Sequence, residues 1–173
     1  MTDTPKPSEA SAALRFKGTD AADTLVPKSG ILKTLLDYWQ SKCGPGGRLP
    51  SRTDIDPLEL RNLLPYVYLI DVITPTRFRI RLLGEEHVAI YGPGVVGKVI
   101  DDIFPPAAAA EFNRLYSAVV RRREPVLNRG QVTWLRNREW MHYEGLHAPL
   151  AGDGTQVDCI FGAGAFDHWD EPA

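Results

Sequence analysis

The chain has 173 residues, 43% of them hydrophobic and 24% charged, with a formal net charge of −2 and a pI near 6.1. That length suits one domain with terminal extensions, and the near-neutral charge gives no electrostatic footprint for nucleic acid or an anionic membrane surface. No apolar run approaches the ~18 residues that span a bilayer, and the opening MTDTPKPSEAS is too polar and acidic for a signal peptide. Two cysteines, Cys43 and Cys159, are too few for a disulfide framework, so the expectation is a reduced, cytoplasmic protein.

Residues 1–29 are rich in Ser, Thr, Ala, Pro and charge and are predicted as a mostly disordered leader. Residues 30–48 follow as a helix and linker. Leu32, Leu35, Leu36, Trp39 and Cys43 form one apolar stripe at helical spacing, and Gly44-Pro45 ends it. A helix this short needs tertiary support, from the domain or from a second copy.

The main domain is expected over 49–168, with a tail at 169–173. Asp56-Pro57-Leu58-Glu59 reads as a capped helix start, with Leu60, Leu63 and Leu64 buried and Pro65 as the stop. Tyr66 to Val72 and Phe78 to Leu83 read as a hairpin around Thr74-Pro75-Thr76. In its second strand Phe78, Ile80 and Leu82 alternate with Arg77, Arg79 and Arg81, one face buried and one basic. A short helix is expected over Glu85 to Tyr91, a turn near Asp101 to Phe104, and a longer helix from Pro105-Pro106 to about Arg123. Three strands close the chain: about Val126 to Trp134, Trp140 to Leu150 and Val157 to Phe166, with Asn137 in the first turn and Gly152-Asp153-Gly154 in the second.

This order resembles the PAS fold, an α+β architecture in which an antiparallel sheet of about five strands carries helices inserted after the second strand. RFRIRLLGEEHVAIYG resembles the second PAS strand and its following helix. GKVIDDIF resembles the phrase of Gly, a basic residue, apolar positions and Asp. LHAPLAGDGTQVDCIFGAGAF resembles the last two strands. LPSRTDIDPLELRNLLPYVYLIDV is similar to a bacterial family of mostly single-domain PAS-like proteins. The resemblance covers about Ile31 to Phe166. It implies sensing or protein–protein contact, through a ligand held between sheet and helices or through pairing by the N-terminal helix.

The residues themselves offer little chemistry. A haem-binding PAS domain of the common type places a histidine on the long helix, and Ala107 to Arg123 has none. The flavin-binding light sensors that share this resemblance use a cysteine on the short helix, and Glu85 to Tyr91 has none. No cofactor is therefore expected. His142 and Glu144 share one strand face while His147 takes the other, which is no metal site. Cys159 reads as a buried, inert thiol. There is no G-x-S-x-G elbow, and Gly92, Gly94 and Gly97 lack the strand-loop-helix and Lys-Ser/Thr context of a phosphate loop. Asp101-Asp102 fits turn capping better than a catalytic pair, and Arg121, Arg122 and Arg123 fit a solvated helix end better than a phosphate site.

The expectation is a non-catalytic cytoplasmic sensory or regulatory module. It would act by binding a small ligand, by protein contact, or by both, with its effector on a separate chain. The rival is a small α+β enzyme or ligand carrier using the same cavity. A pocket is expected among Leu82, Ile90, Tyr91, Ile103, Phe112, Tyr116 and Trp134. A homodimer is expected through Leu32, Leu35, Leu36 and Trp39. Arg81 is expected to pair with Asp71 or Asp37, leaving Arg79 to meet a signalling partner; neither nucleic acid nor membrane insertion is expected.

Overall fold

Both faces of a central sheet are covered in this protein, and that arrangement positions everything else. The structure, a computed structural model, describes residues 26–132 and 141–166. Helix α1 spans Gly30–Lys42, strands β1 and β2 span Val67–Thr74 and Arg77–Leu83, and helices α2, α3 and α4 span Glu85–Tyr91, Ile100–Ile103 and Pro106–Arg122. Strands β3, β4 and β5 span Val126–Gln131, His142–Leu150 and Cys159–Phe166. All pairings are antiparallel, in the order β2-β1-β5-β4-β3, so the class is α+β. Residues 1–25 of the expected leader, the turn at Asn137, the strand ends at Trp134 and Trp140, and the tail lie outside the described residues, while residues 26–29, expected as part of that leader, are bonded to β3 and β4.

Alternation along the strands sorts residues between two cores. Tyr68, Ile70, Val126, Tyr143, Ile160 and Phe166 face inward, where Ile100, Phe104 and the buried stripe Phe112, Leu115, Tyr116 and Val119 of α4 close over them. Leu127, Leu146, Ala148, Phe161 and Ala163 face outward beneath α1. The predicted stripe Leu32, Leu35, Leu36 and Trp39 is buried against this outer face, with Trp39 Nε1–H donating to Pro149 O at 2.9 Å. Its apolar surface is thus satisfied inside the chain.

The stretch expected as a capped helix after Asp56 is instead a run of turns, ending in a short 3-10 segment over Leu64–Tyr66. Pro65 has no N–H to continue a helical ladder, so the run closes in turns and a 3-10 segment. Asp56 still accepts the Leu58 N–H, at 2.8 Å. Glu59, however, turns to Lys42 of α1, at 2.6 Å, rather than back to a cap. Leu60 and Leu63 are buried as expected, while Leu64 is exposed.

A β-bulge corrects the reading of β2. Leu69 pairs with Leu82 but Ile70 pairs with Ile80, so Arg81 is the extra residue and the alternation slips by one. Leu82 is turned outward and 42% exposed, and Leu83 takes the inward position. Asp71 accepts from Arg79 through Nη2, at 2.9 Å, and from Arg81 through Nε, at 2.5 Å. Both arginines are held by one carboxylate, so Arg79 is not the free member of the pair. The two basic side chains hold the Asp71 carboxyl below its ordinary range, against the opposing effect of partial burial. Asp101 accepts from Asn113 Nδ2 at 2.9 Å, tying α3 to α4 rather than capping its own turn.

Candidate functional site

A cavity of about 50 Å³ lies between the inner sheet face and helices α2 to α4. Its apolar wall includes Ile70, Ile80, Leu83, Ile100, Phe104 and Phe112. Its polar lining comes mostly from strands: Tyr68 of β1, Asn128 of β3, Tyr143 and His147 of β4, with His87 and Tyr91 from α2 and Tyr116 from α4. In the same measure one water needs ~10–15 Å³, so the space corresponds to roughly three to five waters.

The strand residues form a buried chain of hydrogen bonds. Asn128 Nδ2–H donates to Tyr143 Oη at 2.9 Å, which leaves Asn128 Oδ1 to accept from His147 Nε2–H at 2.7 Å. His147 Nδ1 is then an acceptor, and the Tyr68 hydroxyl donates to it. On the other side, His87 Nε2–H donates to Tyr66 O at 2.8 Å.

Glycines make the room for these side chains. A Cβ on Gly145 would stand 2.6 Å from Asn128 Oδ1 and 3.0 Å from His147 Nε2. One on Gly162 would strike the Tyr68 ring and come within 2.6 Å of Leu146 O, and one on Gly164 would stand 2.8 Å from His87 Cε1. Gly145 pairs with Gly164, and Gly162 pairs with both Tyr68 and His147, so one bare patch of β4 and β5 carries all four polar rings and amides.

Burial keeps the site uncharged. It pushes His87 down to about 4, and it pushes His147 down to about 3 with help from neighbouring His87. Desolvation likewise drives the phenols of Tyr68, Tyr116 and Tyr143 well above their ordinary range. Tyr68, His147 and Asn128 have the outline of a nucleophile, a base and an orienting group. Burial works against that role, since it disfavours both the imidazolium and the phenolate that such a step would form. Among the described residues no three His, Cys, Asp or Glu side chains gather as a metal site, and no helix is long and apolar enough to cross a membrane. Burial and nearby Asp71 push the Cys159 thiol up to about 12.

Of the residues predicted for the pocket, Tyr91, Phe112 and Tyr116 line it. Ile90 and Ile103 pack against the same core without reaching the cavity, Leu82 points away from it, and Trp134 lies outside the described residues. Tyr68, Asn128 and the roles of His87 and His147 were not anticipated. The available signal was an Asn in a predicted strand, together with Gly145, Gly162 and Gly164 at alternating positions, where glycine marks a close approach.

A profile described as PAS domain matches residues 28–165. Among solved structures the chain is similar to the PAS domain of Bordetella pertussis BvgS, at 24% identity over 64% of this chain and 85% of that one, with a TM-score of 0.48. It is similar to the Drosophila melanogaster Cycle PAS-B domain, a W398A variant with bound glycerol, at 9% identity over 58% of this chain and 98% of that one, TM-score 0.42. It is also similar to an RNA-binding light-oxygen-voltage receptor, at 15% identity over 88% of this chain and 39% of that one, TM-score 0.47. No curated protein matches the chain.

Proposed function

Since this chain belongs to the PAS domain family, whose members are generally sensory or signalling modules, we propose that it is a non-catalytic sensor of bacterial signalling. It works in the cytoplasm, holds a small molecule in the inner cavity, and passes the occupied state to a separate signalling protein by contact. The observation that carries this reading is the cavity itself: an aromatic and aliphatic wall with a few aligned, uncharged polar groups, which is the composition of a binding site. The neutral imidazoles and the unionised phenols favour holding a ligand over turning one over.

Native mass spectrometry of the freshly purified chain tests the proposal, together with xenon titration followed by amide resonances. A small-molecule adduct that leaves on denaturation, or xenon shifts centred on Gly145, Gly162 and Gly164, is expected. A chain without an adduct whose glycine resonances ignore xenon would remove the binding reading.

A further inference from the structure

Two polar groups at the cavity stand outside the hydrogen-bond chain. His87 gives its one N–H to Tyr66 O, so its Nδ1 carries a lone pair. No described residue donates to that nitrogen. The Tyr116 side chain is 5% exposed, packs its ring on Phe78, Phe112 and His147, and lines the cavity. Its hydroxyl has no hydrogen-bond partner among the described residues, yet it is not sealed in apolar packing. Open to the cavity, that hydroxyl can take its partner from whatever occupies the space. By contrast Tyr68, His147 and Asn128 satisfy one another along their chain.

Besides polar groups that already have partners, the cavity therefore presents one bare acceptor and one free hydroxyl against an apolar wall. Among the described residues no Asp, Glu, Lys or Arg side chain lines it, so an ion inside would meet no counter-charge from them. Its size admits only about three to five non-hydrogen atoms, on the scale of three to five waters.

We infer that the cavity selects a small uncharged amphiphile, a primary amide or alcohol with a short hydrocarbon body, whose N–H or O–H donates to His87 Nδ1 and whose oxygen accepts from the Tyr116 hydroxyl. The hydrocarbon lies against Ile80, Ile100 and Phe112. This rests on the proposed role of the cavity as a binding site and adds the class of ligand.

The test uses the full chain and three solutes of nearly equal shape: propionamide, propionate and n-propylammonium, each titrated at pH 7 while the amide resonances of Gly145, Gly162 and Gly164 are followed. Propionamide is expected to shift them saturably, and the two ions are expected to leave them in place. Tyr116→Phe, which keeps the ring, is expected to weaken propionamide by about tenfold. Propionate binding as tightly as propionamide would overturn the inference, and so would an unchanged affinity in Tyr116→Phe. Should that variant not fold, the comparison of the three solutes on the natural chain decides alone. Xenon separates the two levels: if xenon enters and no solute does, the ligand class is wrong and the binding cavity stands, whereas exclusion of xenon as well removes both.

Discussion

Asn128 and Arg129 are consecutive on β3 and face opposite sides of the sheet. Asn128 bonds inward to His147 and Tyr143 at the cavity. Arg129 bonds outward, through Nε to Glu144 at 2.7 Å and through Nη2 to Val26 O at 2.7 Å. Glu144 is fully buried, and its carboxylate also accepts the N–H groups of Lys28, at 2.9 Å, and Ser29, at 2.8 Å, where α1 begins. The start of α1 is thus clamped to the same two strands whose other face lines the cavity.

Arg129→Ala is expected to loosen that clamp. It leaves a buried carboxylate with backbone donors only. The expected loss is roughly 2 kcal/mol, below the ~3–5 kcal/mol of a fully buried pair because Arg129 is a third exposed. Urea denaturation reads the loss, and hydrogen exchange at Lys28 and Ser29 should quicken more than exchange in β5. Unchanged exchange at those two amides would mean that the arginine does not hold the segment.

Acid should destabilise the fold through the two buried histidines. Each has a folded pKa, about 4 for His87 and about 3 for His147, below its ordinary 6.5. Their contribution to stability is therefore complete above the unfolded value and falls as pH drops below it, because the unfolded chain takes up protons that the folded chain refuses. By pH 5 the loss is roughly 2 kcal/mol for each histidine, and the carboxylates held low by their partners, such as Asp71, add theirs only further down. Urea midpoints at pH 7.5 and pH 5 check this, and equal midpoints would mean that neither imidazole is kept neutral by burial.

The α1 stripe and the strand alternation were legible because they rest on local period, 3.6 for Leu32, Leu35, Leu36 and Trp39 and 2 along the strands, whereas the second core on the outer face was not, because it exists only once α1 has docked there. The slip at Arg81 was not, because a bulge is decided by how β2 registers on β1, and RFRIRLL alternates without a break. Tyr68 and His147 meet only after β1, β4 and β5 pair, so no stretch of sequence holds both ends of that bond. Glu59 has the spacing of a capping residue and prefers Lys42, an alternative that exists only once α1 has docked.

The bare patch under the cavity predicts a contrast between glycines. Gly162→Ala would drive a methyl into the Tyr68 ring and toward Leu146 O, a backbone atom that cannot swing away. A loss of about 1–3 kcal/mol or more is expected. Gly94→Ala meets nothing within 4 Å and needs no left-handed backbone, so it should stay within about 0.5 kcal/mol of the natural chain. Thermal denaturation of the two variants side by side gives the answer, and equal stabilities would mean that Tyr68 does not lie over Gly162.

Trp39 offers the sharpest test of how α1 is used. Its ring is buried on its own sheet and its N–H is bonded to Pro149 O, so Trp39→Ala should cost about 3–5 kcal/mol as a large-to-small change in a core. If the stripe acts only within the chain, that cost is the same at low protein concentration and at about a hundredfold higher, since a unimolecular unfolding has no concentration term. If α1 instead crosses to a second copy, as its sequence alone allows, the midpoint of the natural chain rises with concentration and Trp39→Ala removes the rise. Denaturation at the two concentrations, paired with light scattering, decides between them. The burial of Leu32 and Leu35 at 0% exposure in a single chain predicts the concentration-independent result for this helix, so a dimer of the protein would have to use other surface.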